Sequence, residues 1–474
     1  SVSTTEYFQQ QRLVSLYGEV TGAYKDFAYL TLTGRNDFSS TLPTNNNSYF
    51  YPSISGSFVF SEFLPKDGFL SFGNVRLSYA QVGSDTDPYS LQTLYSAPST
   101  YYLQFSLPGT FPFLGQQGFR SPQVYPPANL KPQIAGSFEL GTNLKFWDGR
   151  IGVDFTYYHT RTRDQILDIG VPRSTGYFSK TINAGAITNS GIEAVLDLNL
   201  IRPKVSDGFN WDLTVNFSHN KQIVNSLAPG LNVYPVASGW SGLQVKAVVG
   251  KPFALYGSKW RRSPDGQFVI NASNGLRLTD PDQYLGDVNP DYMMGITNQF
   301  SYKGVTLGVL LDIRQGGVFY SGTVADLRTS GMAKETLANR GKIFIDKGVV
   351  VTGTDGSGKV TYAPNTTPVQ SMQDFWGNYS YTTNTEGNVF DASYMKLRSV
   401  TLAYTFPKKL LPFHGAISSL EVGFEGRNLW LIKSFVPHVD PELNFFGNGS
   451  AGDGVEFNSF PTTRSMGVNV KIKF

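Results

Sequence analysis

Segments in which every second residue is apolar recur along the whole chain of 474 residues. One of the clearest is FNWDLTVNFS, from Phe209 to Ser218, in which each apolar residue is followed by a polar one. Alternation with a period of two predicts β-strands that have one apolar and one polar face. The pattern places thirteen strands, at 13–23, 26–36, 49–61, 70–84, 133–147, 150–165, 188–201, 209–225, 291–302, 305–316, 391–406, 417–430 and 462–474.

The connections between these strands alternate in length. Asp148-Gly149 and Lys303-Gly304 have the residue types of tight hairpin turns. Every second connection is instead long and rich in Gly, Pro, Ser, Asn and aromatic residues. These long connections are at about 37–48, 85–132, 166–187, 226–290, 317–390 and 431–461. All short turns therefore fall at one end of the sheet and all long loops at the other, which is typical of a bacterial outer-membrane β-barrel.

The composition agrees with a membrane barrel and excludes several other classes. The chain has 49 Gly, 35 Phe and 26 Tyr, and only 16% of its residues are charged. Since it has no apolar run near 18 residues, a transmembrane helix is excluded. The absence of cysteine excludes disulfides, thiolate metal sites and cysteine catalysis. The basic residues are scattered and the net charge is only +3, so we expect no nucleic-acid partner.

The alternation of the last strand does not by itself say whether its apolar face meets a protein core or lipid, but the sorting of the connections favours lipid. The alternate residues of this strand are apolar, and we predict that they face lipid: Met466, Val468, Val470, Ile472 and Phe474. A terminal aromatic residue is also typical of outer-membrane barrels. The alternative is a buried edge strand of a soluble β-sandwich, which has no reason to sort its loops by length.

Strand parity predicts how much of a barrel the chain contains. Bacterial barrels made of one chain have an even number of strands, and both of their ends lie in the periplasm. Counting back from the last strand, the strand at 13–23 is the first of an odd number and runs inward from the outside. We therefore expect an all-β, transmembrane antiparallel β-barrel, of which residues 1–474 form the C-terminal portion with about 13–14 strands. The plug domain and the first strands would lie outside this chain.

Several tracts, in the same order along the chain, resemble the SusC/RagA family of TonB-dependent outer-membrane transporters of Bacteroidetes. They are FYPSISGSFVFSE from Phe50, NVRLSYAQVGS from Asn74, NLKPQ from Asn129, FELGTNLKFWDGRIGVDFTYYHTRTRD from Phe138, NSGIEAVLDL from Asn189, LGDVNPDY from Leu285, SYMKLRSVTLAYTFP from Ser393, GRNLW from Gly426, VDPELN from Val439 and FPTTRS from Phe460.

The resemblance implies a barrel of about 22 strands with an N-terminal plug. It also implies energised nutrient uptake of oligosaccharides or peptides through the cell outer membrane of a Gram-negative bacterium. The partners implied are a SusD-like surface lipoprotein that acts as a lid, and TonB, which would act through the missing N-terminal part. Outer-membrane lipid would surround the barrel.

No residue pattern points to catalysis or to a bound cofactor. The four histidines have no metal-ligand spacing, and the motifs of nucleophile elbows, P-loops and dinucleotide sites do not occur. Asp280, Asp282 and Asp287 bring oxygen ligands together and make a weak candidate for structural calcium. Their spacing departs from the EF-hand pattern, and a turn at the Asp-Pro pair explains these residues more simply than a calcium site does. We therefore expect no enzyme and no metal.

Aromatic residues in the long loops are the better candidates for substrate contact, because flat rings stack on sugars and on peptide side chains. The same rings would alternatively pack loop on loop, dock the lipoprotein or lie in the aromatic girdle of the membrane. The candidates are Tyr101, Tyr102, Phe105, Trp240, Trp260, Trp376 and Tyr379.

Three functions remain open from the sequence. The first is a SusC-like TonB-dependent importer, as the loop sorting and the family tracts indicate. The second is a non-transporting structural component that scaffolds a larger outer-membrane assembly. The third, an outer-membrane enzyme, needs a catalytic cluster at the barrel rim that the sequence does not reveal.

Overall fold

A single antiparallel sheet dominates the chain. The computed structural model describes residues 8–65, 68–95, 100–102, 108–110, 115–116, 118–119, 122–205, 207–407, 411, 417–447 and 452–474. In the thirteen-stranded sheet, which we call the wall, every two wall strands that are consecutive in the chain pair with each other. Numbered in one series with the shorter loop strands, the wall strands are β1 (Leu13–Tyr24), β2 (Ala28–Ser39), β3 (Ser48–Phe58), β4 (Leu70–Ser84), β8 (Gln133–Phe146), β9 (Ile151–Arg163), β12 (Ala186–Ile201), β13 (Asn210–Ser226), β19 (Tyr292–Tyr302), β20 (Val305–Gln315), β25 (Tyr394–Phe406), β26 (Ser419–Ser434) and β28 (Ser465–Lys473).

The predicted strands are confirmed. All thirteen predicted segments are wall strands, and their bounds agree within three residues except at the end of β26, which continues to Ser434. β1 and β28 are the two ends of the sheet and do not pair with each other, so the wall is open within the described residues. The prediction that the chain is the C-terminal portion of a larger barrel stays a prediction.

The sorting of connections by length is confirmed for five of the six predicted long connections. The predicted long connection at 37–48 is only 40–47, because residues 37–39 continue β2, and it is shorter than the connections 59–69 and 407–418 at the opposite end of the wall. At one end of the wall, β19 and β20 are joined by Lys303 and Gly304 alone, with φ of 46° and 83°. Positive φ at both turn residues gives the hairpin turn whose twist matches that of paired strands, and glycine takes this conformation without strain. At the other end lie the long connections 85–132, 164–185, 227–291, 316–393 and 435–464.

The long connections contain secondary structure of their own. No helix within the described ranges is long and apolar enough to cross a membrane. The helices are α1 (Gly322–Thr329) and α2 (Met372–Gly377), with 3-10 turns at Arg173–Thr175, Lys334–Leu337 and Glu386–Asn388. A further 3-10 turn, Phe60–Phe63, lies in the connection 59–69 at the opposite end of the wall. The loop strands are β5 (Thr100–Tyr102), β6 (Pro108–Thr110), β7 (Val124–Tyr125), β10 (Ile166–Gly170), β11 (Ser179–Asn183), β14 (Val233–Ser238), β15 (Gln244–Val248), β16 (Ala254–Trp260), β17 (Val269–Ile270), β18 (Thr279–Asp287), β21 (Val318–Ser321), β22 (Val349–Thr354), β23 (Val360–Pro364), β24 (Val389–Asp391) and β27 (Val455–Glu456).

The buried core lies in the loops rather than in the wall. Most of the largest fully buried side chains belong to the long connections, among them Tyr320, Phe319, Leu243 and Leu255. Apolar side chains of the wall are instead largely exposed, as is Val468 in β28. A wall one sheet thick has no second protein layer on its apolar face, and hydrocarbon takes that place in a membrane barrel.

Polar side chains on the other face of the wall pair across strands. Arg76 on β4 reaches across β8 and donates to Asp154 Oδ2 at 3.1 Å and to Thr156 Oγ1 at 3.0 Å, both on β9. The strand between them carries Gly141, where a Cβ would lie 2.6 Å from Arg76 Nε. The absence of a side chain at Gly141 therefore leaves room for this cross-strand ion pair.

Candidate functional site

Three long connections fold into one body, which we call the cap. It consists of residues 227–291 and 316–393 and of the described residues of 435–464, which are 435–447 and 452–464. Each connection contributes to a shared hydrophobic cluster, in which Leu255 comes from the first, Tyr320 from the second and Val455 from the third. All three are almost completely buried. The cap therefore has a core of its own, and its connections hold one another in place.

Backbone pairing also joins the connections of the cap. β17 in the first connection pairs in parallel with β22 in the second, through Val269 with Val349 and Ile270 with Val350. β21 in the second pairs in parallel with β27 in the third. Since parallel pairs need distant segments to meet, the tertiary fold rather than a local turn sets these contacts.

A buried ion pair ties the first connection of the cap to the second. Arg277 Nε lies 2.6 Å from Asp346 Oδ2, and its Nη2 lies 3.1 Å from Asp346 Oδ1. The guanidinium also donates to the Tyr379 hydroxyl at 3.1 Å and stacks on Phe268, with 3.9 Å between Cζ and the ring centre. Burial alone would lower the pKa of Arg277, but the hydrogen bonds to Asp346 raise it overall.

An ion cluster fastens the third connection of the cap to the wall. Lys396 and Arg398 lie on β25. Lys396 Nζ lies 2.5 Å from Asp440 Oδ1 and also contacts Glu442. Arg398 donates from Nη1 to Glu442 at 2.9 Å and from Nε to Asp312 on β20 at 3.0 Å. We call these five residues the anchor.

The anchor keeps its central carboxyl ionised. Burial alone would raise the pKa of Glu442, but hydrogen bonds from Arg398 and Lys396 overcome that effect and lower the pKa to about 2. The side chain of Lys396 is only 5% exposed, so its charge needs the two carboxylates beside it. The arrangement holds residues 440–442 against β25.

A cleft of about 700 Å³ lies where the wall strands meet the cap, and we call it the rim cleft. The end of β13, the residues before β19 and the second connection of the cap all line it. Its volume is in the range of small-ligand sites. Its charged lining residues are Lys221, Lys259, Asp287, Asp291, Glu386 and Asp391, besides the titratable His219.

Three of the predicted aromatic residues lie together in the cap. Trp260 is 5% exposed, and its ring centre lies 5.3 Å from that of Tyr379. Trp376 lies 5.1 Å from Tyr379, and its indole Nε1 is buried without a hydrogen-bond partner among the described residues. Burial raises the pKa of Tyr379. The cluster packs around Arg277 and Arg328, as in the loop-packing alternative.

The other aromatic candidates lie elsewhere. Trp240 packs against the hydrophobic cluster of the cap and stacks on Phe457 at 4.1 Å. Tyr101 and Tyr102 belong to β5, and their side chains lie outside what the structure describes. Phe105 lies outside the described residues. Substrate contact by any of the seven candidates stays a prediction.

The three calcium candidates have separate partners. Asp280 pairs with Arg261, Asp282 with Lys246, and Asp287 accepts from the Tyr284 hydroxyl at 2.9 Å. Across the described ranges, no three His, Asp or Glu side chains come together in a way that could hold a metal ion. The structural calcium stays an untested prediction, and the geometry gives it no support.

The C-terminal strand has the predicted alternation on an open face. β28 pairs with β26, so that Val470 lies opposite Val422 and Asn469 lies opposite Gly423. Four apolar residues of β28 and Phe474, which follows the strand, are all exposed in the chain by itself: Met466, Val468, Val470, Ile472 and Phe474. All nine residues of β28, polar and apolar, are exposed at this edge of the wall, and lipid contact by the apolar row stays a prediction.

Sequence reasoning missed the anchor and the rim cleft. Lys396 and Arg398 are two residues apart and so share one face of a strand, which was the available signal for clustered charge. Their acidic partners Asp440 and Glu442 are more than forty residues away in a loop. No period in the sequence relates a loop residue to the strand that it contacts.

Taken together, a meander of strands with one apolar face, short turns at one end and folded loops at the other defines a wall of an outer-membrane β-barrel. The family model for the β-barrel of TonB dependent receptor-like proteins matches residues 2–429, and the chain belongs to this family. Proteins of this family lie in the outer membrane, and this chain is one of them.

Named relatives agree with this assignment. TonB-dependent receptor P26 of Formosa agariphila is 27% identical over 508 residues, which cover 100% of this chain and 47% of the relative. TonB-dependent receptor SusC of Bacteroides thetaiotaomicron is 22% identical over 498 residues, which cover 99% of this chain and 44% of the relative. The chain thus spans about half the length of the curated relatives that it matches.

Among solved structures, the RagAB peptide transporter has a similar fold. Its TM-score is 0.72 at 20% identity, and the match covers 97% of this chain and 47% of that chain. At this identity the likeness concerns the fold alone. The SusC/RagA resemblance of the sequence tracts and the all-β barrel fold are thereby confirmed.

Proposed function

We propose that the chain forms the wall and the cap of a SusC-like TonB-dependent importer of oligosaccharides or peptides. A SusD-like surface lipoprotein acts as its lid, and TonB acts through a plug outside residues 1–474. The observation that carries the proposal is the rim cleft, because it lies where a folded cap meets the wall of a transporter-family barrel. A ligand captured at the long-loop end would meet the cleft before the barrel interior.

The outer surface of the cap supports a protein partner. Met332, Leu337 and Ile343 in the second connection of the cap are all more than 60% exposed, although they are apolar. Apolar side chains that remain exposed close together in a folded segment are typical of protein interaction sites. A lid lipoprotein that covers this segment would bury them.

Uptake by cells tests the importer. The gene is deleted without disturbing its neighbours, and uptake and growth are measured on defined oligosaccharides and on peptide mixtures as sole nutrients. We expect loss of uptake of at least one substrate and its recovery when the gene is returned. Unchanged uptake of every oligosaccharide and peptide tested would contradict the proposal.

The exposed apolar segment also fits the second candidate, a barrel that scaffolds lipoproteins without transport. This function predicts that lipoproteins co-purify with the barrel while the deletion strain grows normally on each nutrient. The family consists of receptors rather than enzymes, and we propose no catalytic role for this chain. Hydrolysis of an oligosaccharide or peptide by the purified protein would reverse that conclusion.

A further inference from the structure

The rim cleft contains two lysines whose charges are unmatched. Lys221 lies near the end of β13, and Lys259 lies on β16. Both line the cleft, and neither ammonium group has an ion pair or hydrogen bond within the described part of the chain. By contrast, the Glu386 carboxylate in the same cleft already has partners. It accepts hydrogen bonds from the Arg262 guanidinium at 2.9 Å and from the Trp260 backbone N–H at 2.7 Å. The cleft therefore presents free positive charge to a ligand.

The same cleft also presents free negative charge. The Asp291 carboxylate has no ion-pair or hydrogen-bond partner within the described ranges. Asp287 accepts only from the Tyr284 hydroxyl, and Asp391 accepts from the backbone and hydroxyl of Ser393. Neither of these two carboxylates pairs with a cation in the part of the chain that the structure describes. The cleft thus offers partners for both signs of charge.

Aromatic surface for stacking on a sugar is scarce in the rim cleft. Phe390 is the one Phe, Tyr or Trp among the residues that line it. The Arg328 guanidinium already lies 5.4 Å from the centre of the Phe390 ring. The cluster of Trp260, Trp376 and Tyr379 packs on itself and does not line the cleft.

We propose that the rim cleft is a binding site for a short peptide with charged ends. Lys221 and Lys259 would bind its carboxylate, and Asp291 and Asp287 would bind its ammonium group. The proposal rests on the proposed function, because it names the substrate class of the same site. A zwitterionic chain satisfies charges of both signs at once, whereas a neutral glycan leaves them unpaired once water is displaced.

The experiment uses the full-length protein in detergent and a matched set of small ligands. The ligands are tetra-alanine with free ends, its C-terminal amide, its N-acetyl form and maltotetraose, and their affinities are measured by calorimetry. We expect tetra-alanine to bind, and each blocked form to bind about tenfold more weakly, since each loses a charge-assisted contact. Maltotetraose is expected to bind more weakly still.

Variants assign each effect to its residues. In Lys221→Gln/Lys259→Gln, tetra-alanine is expected to bind about as weakly as its amide, and the amide itself should be unaffected. In Asp291→Asn, the difference between the free and the N-acetylated peptide should shrink instead. Lys342→Gln is the matched control, because Lys342 is exposed on the cap and does not line the cleft. Thermal unfolding of each variant verifies that it is folded.

Three results would overturn the inference: no binding of tetra-alanine by the folded wild type up to about 10 mM, preferential binding of maltotetraose, or an acid-to-amide difference that survives in the double variant. These results are separable from failure of the proposed function. If cells import glycans and the peptide does not bind, the importer function is supported and peptide binding in the rim cleft is contradicted. If the peptide binds through the lysines but no uptake depends on the gene, peptide binding in the rim cleft is supported and the importer function is contradicted.

Discussion

At the scale of single residues, Glu442 links the cap to the wall. Its carboxylate contacts both Lys396 and Arg398, and it also accepts from the Tyr394 hydroxyl at 2.9 Å. Removing its charge would leave a nearly buried lysine with one carboxylate in place of two. Because these charged groups are partly exposed to solvent, their interaction contributes less to stability than a fully buried ion pair would.

We therefore expect Glu442→Gln to loosen the third connection of the cap without unfolding the wall. A lost hydrogen bond between charged groups costs about 1.5–3 kcal/mol, or at least a tenfold rise in local opening. Hydrogen exchange in peptides that cover 435–464 measures the change. The control is Glu62→Gln, whose side chain has no hydrogen-bond or ion-pair partner among the described residues. Equal exchange in both variants would contradict a role for Glu442 in the anchor.

The same residue predicts a pH dependence. The pKa of Glu442 is about 2 in the folded protein, below its ordinary value of 4.5. A lowered carboxyl pKa means that its stabilising contribution is complete above about pH 4.5 and is lost as the pH falls toward 2. Exchange at 435–464, corrected for its intrinsic pH dependence, should rise through this window. Glu442→Gln should remove this part of the pH dependence, and a variant that follows the wild-type curve would disprove the assignment.

At the scale of elements, the cap depends on contacts between connections. The pairing of β17 with β22 spans only two residue pairs, so it has little stability of its own. The Arg277–Asp346 ion pair lies between the same two connections and is mostly buried. We therefore expect the Arg277–Asp346 ion pair and the pairing of β17 with β22 to form and break together.

Arg277→Met tests this dependence. Removing one partner of a buried ion pair leaves an unpaired charge on Asp346 and costs roughly 3–5 kcal/mol. We expect faster hydrogen exchange in both β17 and β22, with the wall strands unchanged. Arg261→Met is the matched control, because Arg261 pairs with Asp280 in a more exposed position within one connection, where such pairs are worth about 1 kcal/mol or less. Similar effects of the two substitutions would mean that the ion pair does not hold the cap together.

At the scale of the whole molecule, the two faces of the wall meet different surroundings. Val470 belongs to the exposed apolar row of β28, and the neighbouring Asn469 belongs to the opposite face. The environment beyond the apolar row decides whether such exposure is stable, and lipid makes it so.

Val470→Lys and Asn469→Lys separate the two faces. A lysine on the lipid face near the bilayer midplane costs roughly 2–4 kcal/mol, whereas a polar face tolerates it. In the full-length protein folded into lipid vesicles, we expect Val470→Lys to lower the denaturant midpoint clearly and Asn469→Lys to change it little. The reverse order would place lipid on the wrong face of β28.

Local sequence patterns were enough to predict the wall. Period-two alternation and hairpin turn residues such as Lys303 and Gly304 are local, so they predicted the thirteen strands, their order and five of the six long connections. The alternate apolar residues that end in Phe474 predicted an apolar strand face, because this alternation is also a local pattern. The family tracts added the class of transporter.

The conformation of the loops, by contrast, depends on contacts between distant parts of the chain. Tryptophan is a residue type that often contacts ligands, yet Trp240 and Trp260 both pack within the cap. The anchor, the cross-loop strands and the rim cleft all join residues that are far apart in the chain. A strand repeats its geometry every two residues and can be read from its own sequence. A loop acquires its conformation from the contacts that it makes with other loops, and no local pattern encodes those contacts.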